Sequence, residues 1–153
     1  MKKGDHLYQQ YLNILNEELR PAMGCTEPIA LAYAAARAKQ VLGTMPEKIR
    51  LFVSGNIIKN VKGVNVPNAG GQKGVQVAAI LGALAGDPDL ELQVISQVAP
   101  ETTAEIKAYM ENADLEIQPA YSDLVFDIDL FVYAGADMVR LRIANHHTNV
   151  VLI

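Results

Sequence analysis

The chain has 153 residues, half of them hydrophobic and a fifth charged, with a formal net charge of −4. That length and composition predict one soluble globular domain with a sizeable core. One cysteine excludes an internal disulfide framework and points to a reducing compartment, and no apolar run reaches the length of a membrane span, so the chain reads as cytoplasmic with no membrane partner.

Charge is unevenly spread. Residues 1–74 carry ten Lys/Arg against five Asp/Glu, and residues 75–153 carry three against twelve. Two solvated faces that attract each other would produce this pattern, and so would a basic half that receives an anion. The basic residues Lys39, Lys48, Lys59, Lys62 and Lys73 are scattered, with no aromatics interleaved, so nucleic acid is not an expected partner. The basic start, Met1-Lys2-Lys3, runs into a polar amphipathic segment and is not a signal peptide.

In chain order, Leu7, Tyr11, Leu12, Ile14, Leu15 and Leu19 recur at helical spacing and predict a helix over 5–20, stopped by Pro21. After a link at 22–25, Thr26 is an expected N-cap and Pro28 suits the first turn of a second helix ending near Gly43. Its alanines predict close packing and burial. Residues 48–54 read as a strand. Residues 55–74, dense in Gly, Asn, Pro and Lys, read as a long functional loop with one helical turn at most. Residues 74–85 read as another buried helix, closed by Gly86-Asp87-Pro88.

Residues 90–95 then read as a strand, and Pro100-Glu101 opens a helix to about Asn112. Residues 115–120 read as a strand. Three more are expected at 128–136, 138–144 and 147–153, antiparallel across turns at Gly135-Ala136-Asp137 and Asn145-His146. The expected fold is α+β, with buried N-terminal helices packed on a mixed, largely antiparallel sheet. The chain stops at Val150-Val151-Leu152-Ile153, mid-strand by this reading. A terminal strand tucked into a sheet and a cut at a domain boundary both account for that.

Three polar clusters could carry chemistry. In Gly24-Cys25-Thr26-Glu27-Pro28 the cysteine sits at a predicted helix mouth, where free N–H groups and the helix dipole favour a thiolate; a buried, inert thiol is the structural alternative. Glu27 is a candidate general base or a first-turn carboxylate complementing the dipole. In Ser54-Gly55-Asn56-Ile57-Ile58-Lys59-Asn60, Asn56 and Lys59 follow a strand and could hold a substrate carboxylate, or simply line a solvated turn. In Pro67-Asn68-Ala69-Gly70-Gly71-Gln72-Lys73-Gly74, Gly70, Gly71 and Gly74 let backbone N–H groups converge on an anion ahead of a helix. A tightly packed turn is the alternative there. The pattern matches neither a Walker A loop nor GxGxxG, and no Ser/Thr follows Lys73, so a carboxylate fits better than a nucleotide. His146-His147 would point to opposite faces of a strand and is not read as a metal site.

Three stretches resemble one family: 21–30 (Pro-Ala-Met-Gly-Cys-Thr-Glu-Pro-Ile-Ala), Val53 to Asn60, and the Pro67–Gly74 loop with Gly82 to Pro88. The terminal Asn145-His146-His147-Thr148-Asn149 fits as well. This is the L-cysteine desulfidase family, related to the α chain of iron–sulfur L-serine dehydratases. The resemblance covers nearly the whole chain. It implies α,β-elimination from L-cysteine to sulfide, ammonia and pyruvate, or dehydration of L-serine. It also implies that Cys25 is one of three cysteines holding a 4Fe–4S cluster, the other two lying in a C-terminal region.

On that resemblance the 153 residues form a single domain, the N-terminal part of a longer catalytic chain. One cysteine cannot hold a four-iron cluster, so the isolated chain is expected to be inactive and cluster-free. The expected partners are a small amino-acid substrate and the missing C-terminal half. Apolar helices left uncovered would favour a homo-oligomer. Two other readings stand beside this one. The chain could be a small-ligand binding or regulatory domain without catalysis, or a thiol enzyme using Cys25 with Glu27 as base.

Overall fold

The computed structural model describes residues 9–13, 26–63, 65–66, 69–89, 94–96, 98–120 and 127–144; at 9–13, 26–27 and 144 it describes the backbone. Among these residues the order is β1 (Gln9–Asn13), α1 (Thr26–Leu42), β2 (Lys48–Val53), α2 (Gly55–Lys62), α3 (Val75–Ala85), α4 (Thr102–Asn112), β3 (Asp114–Pro119), β4 (Asp127–Ala134) and β5 (Asp137–Ala144).

The strands form one five-stranded sheet in the order β1-β5-β4-β2-β3. β4 pairs antiparallel with both β2 and β5, while β1 joins β5 and β3 joins β2 in parallel. The architecture is α+β with a mixed sheet, as expected.

Alternation along the strands decides which face is buried. Ile49, Leu51 and Val53, with Ile128, Leu130, Val132, Val139, Leu141 and Ile143, point inward and are almost wholly buried. α1 covers this face and packs on β4 and β5. α3 then packs on α1, with α2 and α4 against it. α3 is apolar on nearly every side because it is buried on nearly every side. Its contact with α1 is very close. A Cβ on Gly82 would fall 2.1 Å from the Ala32 carbonyl oxygen, and one on Gly86 would fall 3.0 Å from Ala36 Cβ. The small residues foreseen in both helices are what permits that approach.

Several elements differ from the sequence reading. The helix expected over 5–20 is contradicted at its centre, where Gln9–Asn13 is a strand hydrogen-bonded along β5. Pairing with a distant strand outweighs local helical spacing there; the rest of that span lies outside the described residues. The 55–74 loop contains a full helix, α2. Ile57 and Val61, one turn apart, are buried against the core, and this burial supports a helix that Gly and Asn disfavour locally.

Val94 and Ile95, expected in a strand, form a turn, with Val94 accepting a hydrogen bond from the Asp87 N–H; residues 90–93 lie outside the described residues. Thr26 is the first residue of α1 rather than its cap. The strands at 48–54, 115–120, 128–136 and 138–144 are present to within two residues, and β4 and β5 form the expected hairpin at Gly135. The strand expected at 147–153 lies outside the described residues.

Candidate functional site at the carboxyl end of the sheet

The pairing pattern gives β1, β2, β3 and β5 one common direction and β4 the opposite one. The carboxyl ends of four strands therefore share one end of the sheet. In open sheets with helical connections, ligands collect outside that end, where helix N-termini arrive.

The helices follow this rule. α1 reaches β2 through a five-residue link, so it runs back against β2 and its N-terminus points to the carboxyl end. α4 does the same relative to β3, through Ala113. α3 runs parallel to α1, since Gly82 meets Ala32 and Gly86 meets Ala36 in the same sense. α2 starts at Gly55, two residues after β2 ends. Among the described residues four helix N-termini thus face one region, each adding N–H groups and partial positive charge.

The sequence clusters map onto this end. α1 begins at Thr26, the residue after Cys25, and Glu27 lies in its first turn. Cys25 and the 145–149 segment lie outside the described residues, as do Pro67 and Asn68. Ser54 is buried; its Oγ accepts the Asp127 N–H at 3.3 Å, and its own N–H donates to the Asp127 carbonyl at 2.9 Å. These bonds tie the β2–α2 corner to the start of β4. Asn56 and Lys59 lie on the exposed side of α2, opposite Ile57 and Val61.

The glycine loop is held by its own backbone. Val66 N–H donates to Gln72 O at 3.0 Å, and Asn65 bridges Lys73. Gln72 Nε2 donates to the carbonyls of Ala69 (3.1 Å) and Thr103 (3.4 Å), which fixes the loop to the start of α4. Gly70, Gly71 and Gly74 have φ of 66°, 87° and 106°, a region that side chains rarely adopt, and a Cβ on Gly70 would lie 2.6 Å from Thr103 Oγ1. Gly70 and Gly71 are exposed, and Gly74 caps α3.

A second feature went unread in the sequence. On the sheet face away from the helices, Arg142 Nε and Nη2 bind Asp127 at 3.0 and 2.8 Å, and Arg140 Nε and Nη2 bind Asp129 at 2.9 and 2.8 Å. The Asp127 side chain is 2% exposed. Its hydrogen bond raises the Arg142 pKa above its ordinary value, so that guanidinium stays charged. Arg140 lies 4.9 Å over the Phe131 ring, and Phe131 meets Phe52 edge-on at 5.9 Å. These six side chains border an open cavity of about 490 Å³. The signal was present as Asp-x-Asp and Arg-x-Arg on the two arms of a predicted hairpin. Antiparallel pairing places such alternating residues on one face.

Comparison with known proteins gives the chain's relatives. Over all 153 residues it is 50% identical to a UPF0597 protein of Desulfitobacterium hafniense (strain Y51). It is 43% identical over 145 residues to a UPF0597 protein of Fusobacterium nucleatum, and 43% identical over 148 residues to one of Finegoldia magna. The chain is homologous to the UPF0597 proteins. It spans about a third of their length, from 34% to 36% in these three. No protein-family model and no solved structure matches it.

Within this UPF0597 homologue, the described candidates Glu27, Asn56, Lys59, Gly70, Gly71 and Gly74 come from segments that begin or end at the carboxyl end. Among the described residues no group of three His, Cys, Asp or Glu is placed to hold a metal ion, and no helix is long and apolar enough to cross a membrane.

Proposed function

We propose that this chain forms part of an iron–sulfur amino-acid lyase that eliminates sulfide from L-cysteine, or water from L-serine, giving an aminoacrylate that water hydrolyses to pyruvate and ammonia. The motif around Cys25 supports the reading. The structural observation that carries it is topological: the start of α1, the Asn56–Lys59 segment and the Gly70–Gly74 loop share the carboxyl end of the sheet. The homologues' greater length supports a contribution from further chain.

Cys25 is the chain's one thiol, and a 4Fe–4S cluster with an open iron takes three thiolates. The chain therefore fits as donor of a single ligand, with two more supplied by the rest of a longer protein. When bound, such a cluster supplies an exposed iron that acts as a Lewis acid toward the departing sulfur or oxygen.

The chain's own residues bind and orient. N–H groups around Gly70, Gly71 and Gly74, with the α3 N-terminus behind them, receive the substrate carboxylate. Lys59 adds positive charge and Asn56 a hydrogen bond. Glu27, in the first turn of α1, is the base that takes the proton from the α-carbon. Cysteine and serine differ at one atom, and these contacts read the part they share.

An anaerobic assay of the full product of the source gene tests this. Iron and acid-labile sulfide are quantified, and L-cysteine and L-serine are each tested for pyruvate release. The expected result is cluster-dependent pyruvate, lost in Cys25→Ser together with the iron, and neither iron nor turnover in the 153-residue chain alone. Iron-free turnover would favour the thiol-enzyme reading. Absence of both iron and turnover would leave a small-ligand binding domain, the reading favoured by the cavity on the open sheet face.

A further inference from the structure

The cavity on the open sheet face lies on the opposite side of the sheet from α1 and has no part in the lyase reading. Its charges sum to zero, with two guanidinium and two carboxylate groups. A neutral site of this kind gives no long-range pull to a simple anion or cation. It suits a ligand that carries both charges close together.

The register locates the two ends of such a ligand. Asp129 and Arg142 are directly opposite each other across β4 and β5, yet each pairs diagonally with another residue. Opposed residues in an antiparallel pair lie about 5 Å apart at Cα. Arg142 uses Nε and Nη2 for Asp127, so its Nη1 edge remains for an incoming carboxylate. Each Asp129 oxygen accepts one N–H from Arg140 and keeps a lone pair for an incoming ammonium. Both side chains retain some exposure, 28% for Arg142 and 17% for Asp129. Phe52 and Phe131 supply an apolar wall beside them. We propose that this cavity binds a zwitterionic α-amino acid with an apolar side chain: carboxylate on Arg142, ammonium on Asp129, side chain against Phe52 and Phe131.

L-Leucine is the probe, because it has no leaving group at its β-carbon and its binding cannot reflect turnover. Titration calorimetry of the 153-residue chain is run with L-leucine, N-acetyl-L-leucine and L-leucine methyl ester. The derivatives keep the side chain and lose one charge each. Saturable leucine binding, at least about tenfold weaker for either derivative, is expected, since each loses one charge-assisted hydrogen-bonded contact. Arg142→Lys and Asp129→Asn should weaken leucine by a similar factor. Phe52→Ala removes no charge; it should weaken leucine while leaving glycine unchanged.

Cys25→Ser should leave leucine binding intact whatever becomes of the lyase activity. No saturable binding, equal binding of the derivatives, or indifference to Arg142→Lys, Asp129→Asn and Phe52→Ala would each overturn the proposal. Leucine binding lost in Cys25→Ser and retained in Arg142→Lys would overturn it too, assigning the ligand to the Cys25 motif instead.

Discussion

Gly82 shows how much one residue can decide. Any side chain there collides with the Ala32 backbone, which cannot swing away as a flexible side chain could. Gly82→Ala adds helix propensity in isolation but should destabilise the fold by about 3 kcal/mol or more through overpacking. Urea unfolding of the two proteins measures it, and a more stable variant would contradict the close α1–α3 crossing.

Tyr109 gives a pH signature. Its hydroxyl donates to the Pro46 carbonyl, and burial raises its pKa above the ordinary value near 10. Because the folded state favours the neutral phenol, this contribution is complete below about pH 10 and is lost as pH rises through the raised folded value. Tyr109→Phe should cost about 1 kcal/mol at pH 7 and should lose stability less steeply above pH 10, as followed by thermal melts. Asp114 has the opposite sign. Its hydrogen bond with Arg50 lowers its pKa, so its contribution is present above the ordinary carboxylate range and disappears as pH falls through the lowered value.

At the scale of the element, α2 and β1 carry the main lesson. Both are short, and neither is stable without its neighbours. α2 holds because Ile57 and Val61 enter the core. Ile57→Ala should therefore cost about 2–4 kcal/mol, whereas Lys62→Ala on the exposed side should stay within about 0.5 kcal/mol. Similar small effects from both would mean that the segment does not dock. Equilibrium unfolding separates these cases. β1 has the apolar spacing of a helix, and only its pairing with β5, far along the chain, shows it to be a strand. The central strands were legible because their alternation is strong and the hairpin turn at Gly135 is short. β4 and β5 are also bridged by the Asp127–Arg142 pair. Asp127→Asn leaves Arg142 without its counter-charge and should cost about 2 kcal/mol, a value reduced by the partial exposure of the arginine.

At the largest scale, strand direction decides where the described candidate residues gather. Among the described residues four strands end together and four helices begin there, and Glu27, Asn56, Lys59 and the Gly70–Gly74 loop lie at those junctions. Asn56 and Lys59 are exposed, on the side of α2 opposite Ile57 and Val61. Under the proposed function, Lys59→Met should leave the unfolding midpoint unchanged and raise KM in the full gene product. A drop in stability with KM unchanged would assign Lys59 a structural role instead.

The α+β class, the alanine-rich buried helices and the β4–β5 hairpin were legible in the amino-acid sequence alone. These follow from local rules: periodicity, turn residues and backbone freedom at glycine. Long-range contacts were needed to make Gln9–Asn13 a strand and Gly55–Lys62 a helix, and to set α1 and α3 parallel with their backbones nearly touching. The Asp127–Arg142 and Asp129–Arg140 pairs also needed the register, because residues 11 and 15 positions apart meet only when the hairpin closes. Long-range pairing and burial depend on partners distant in the chain, and no local pattern carries that information.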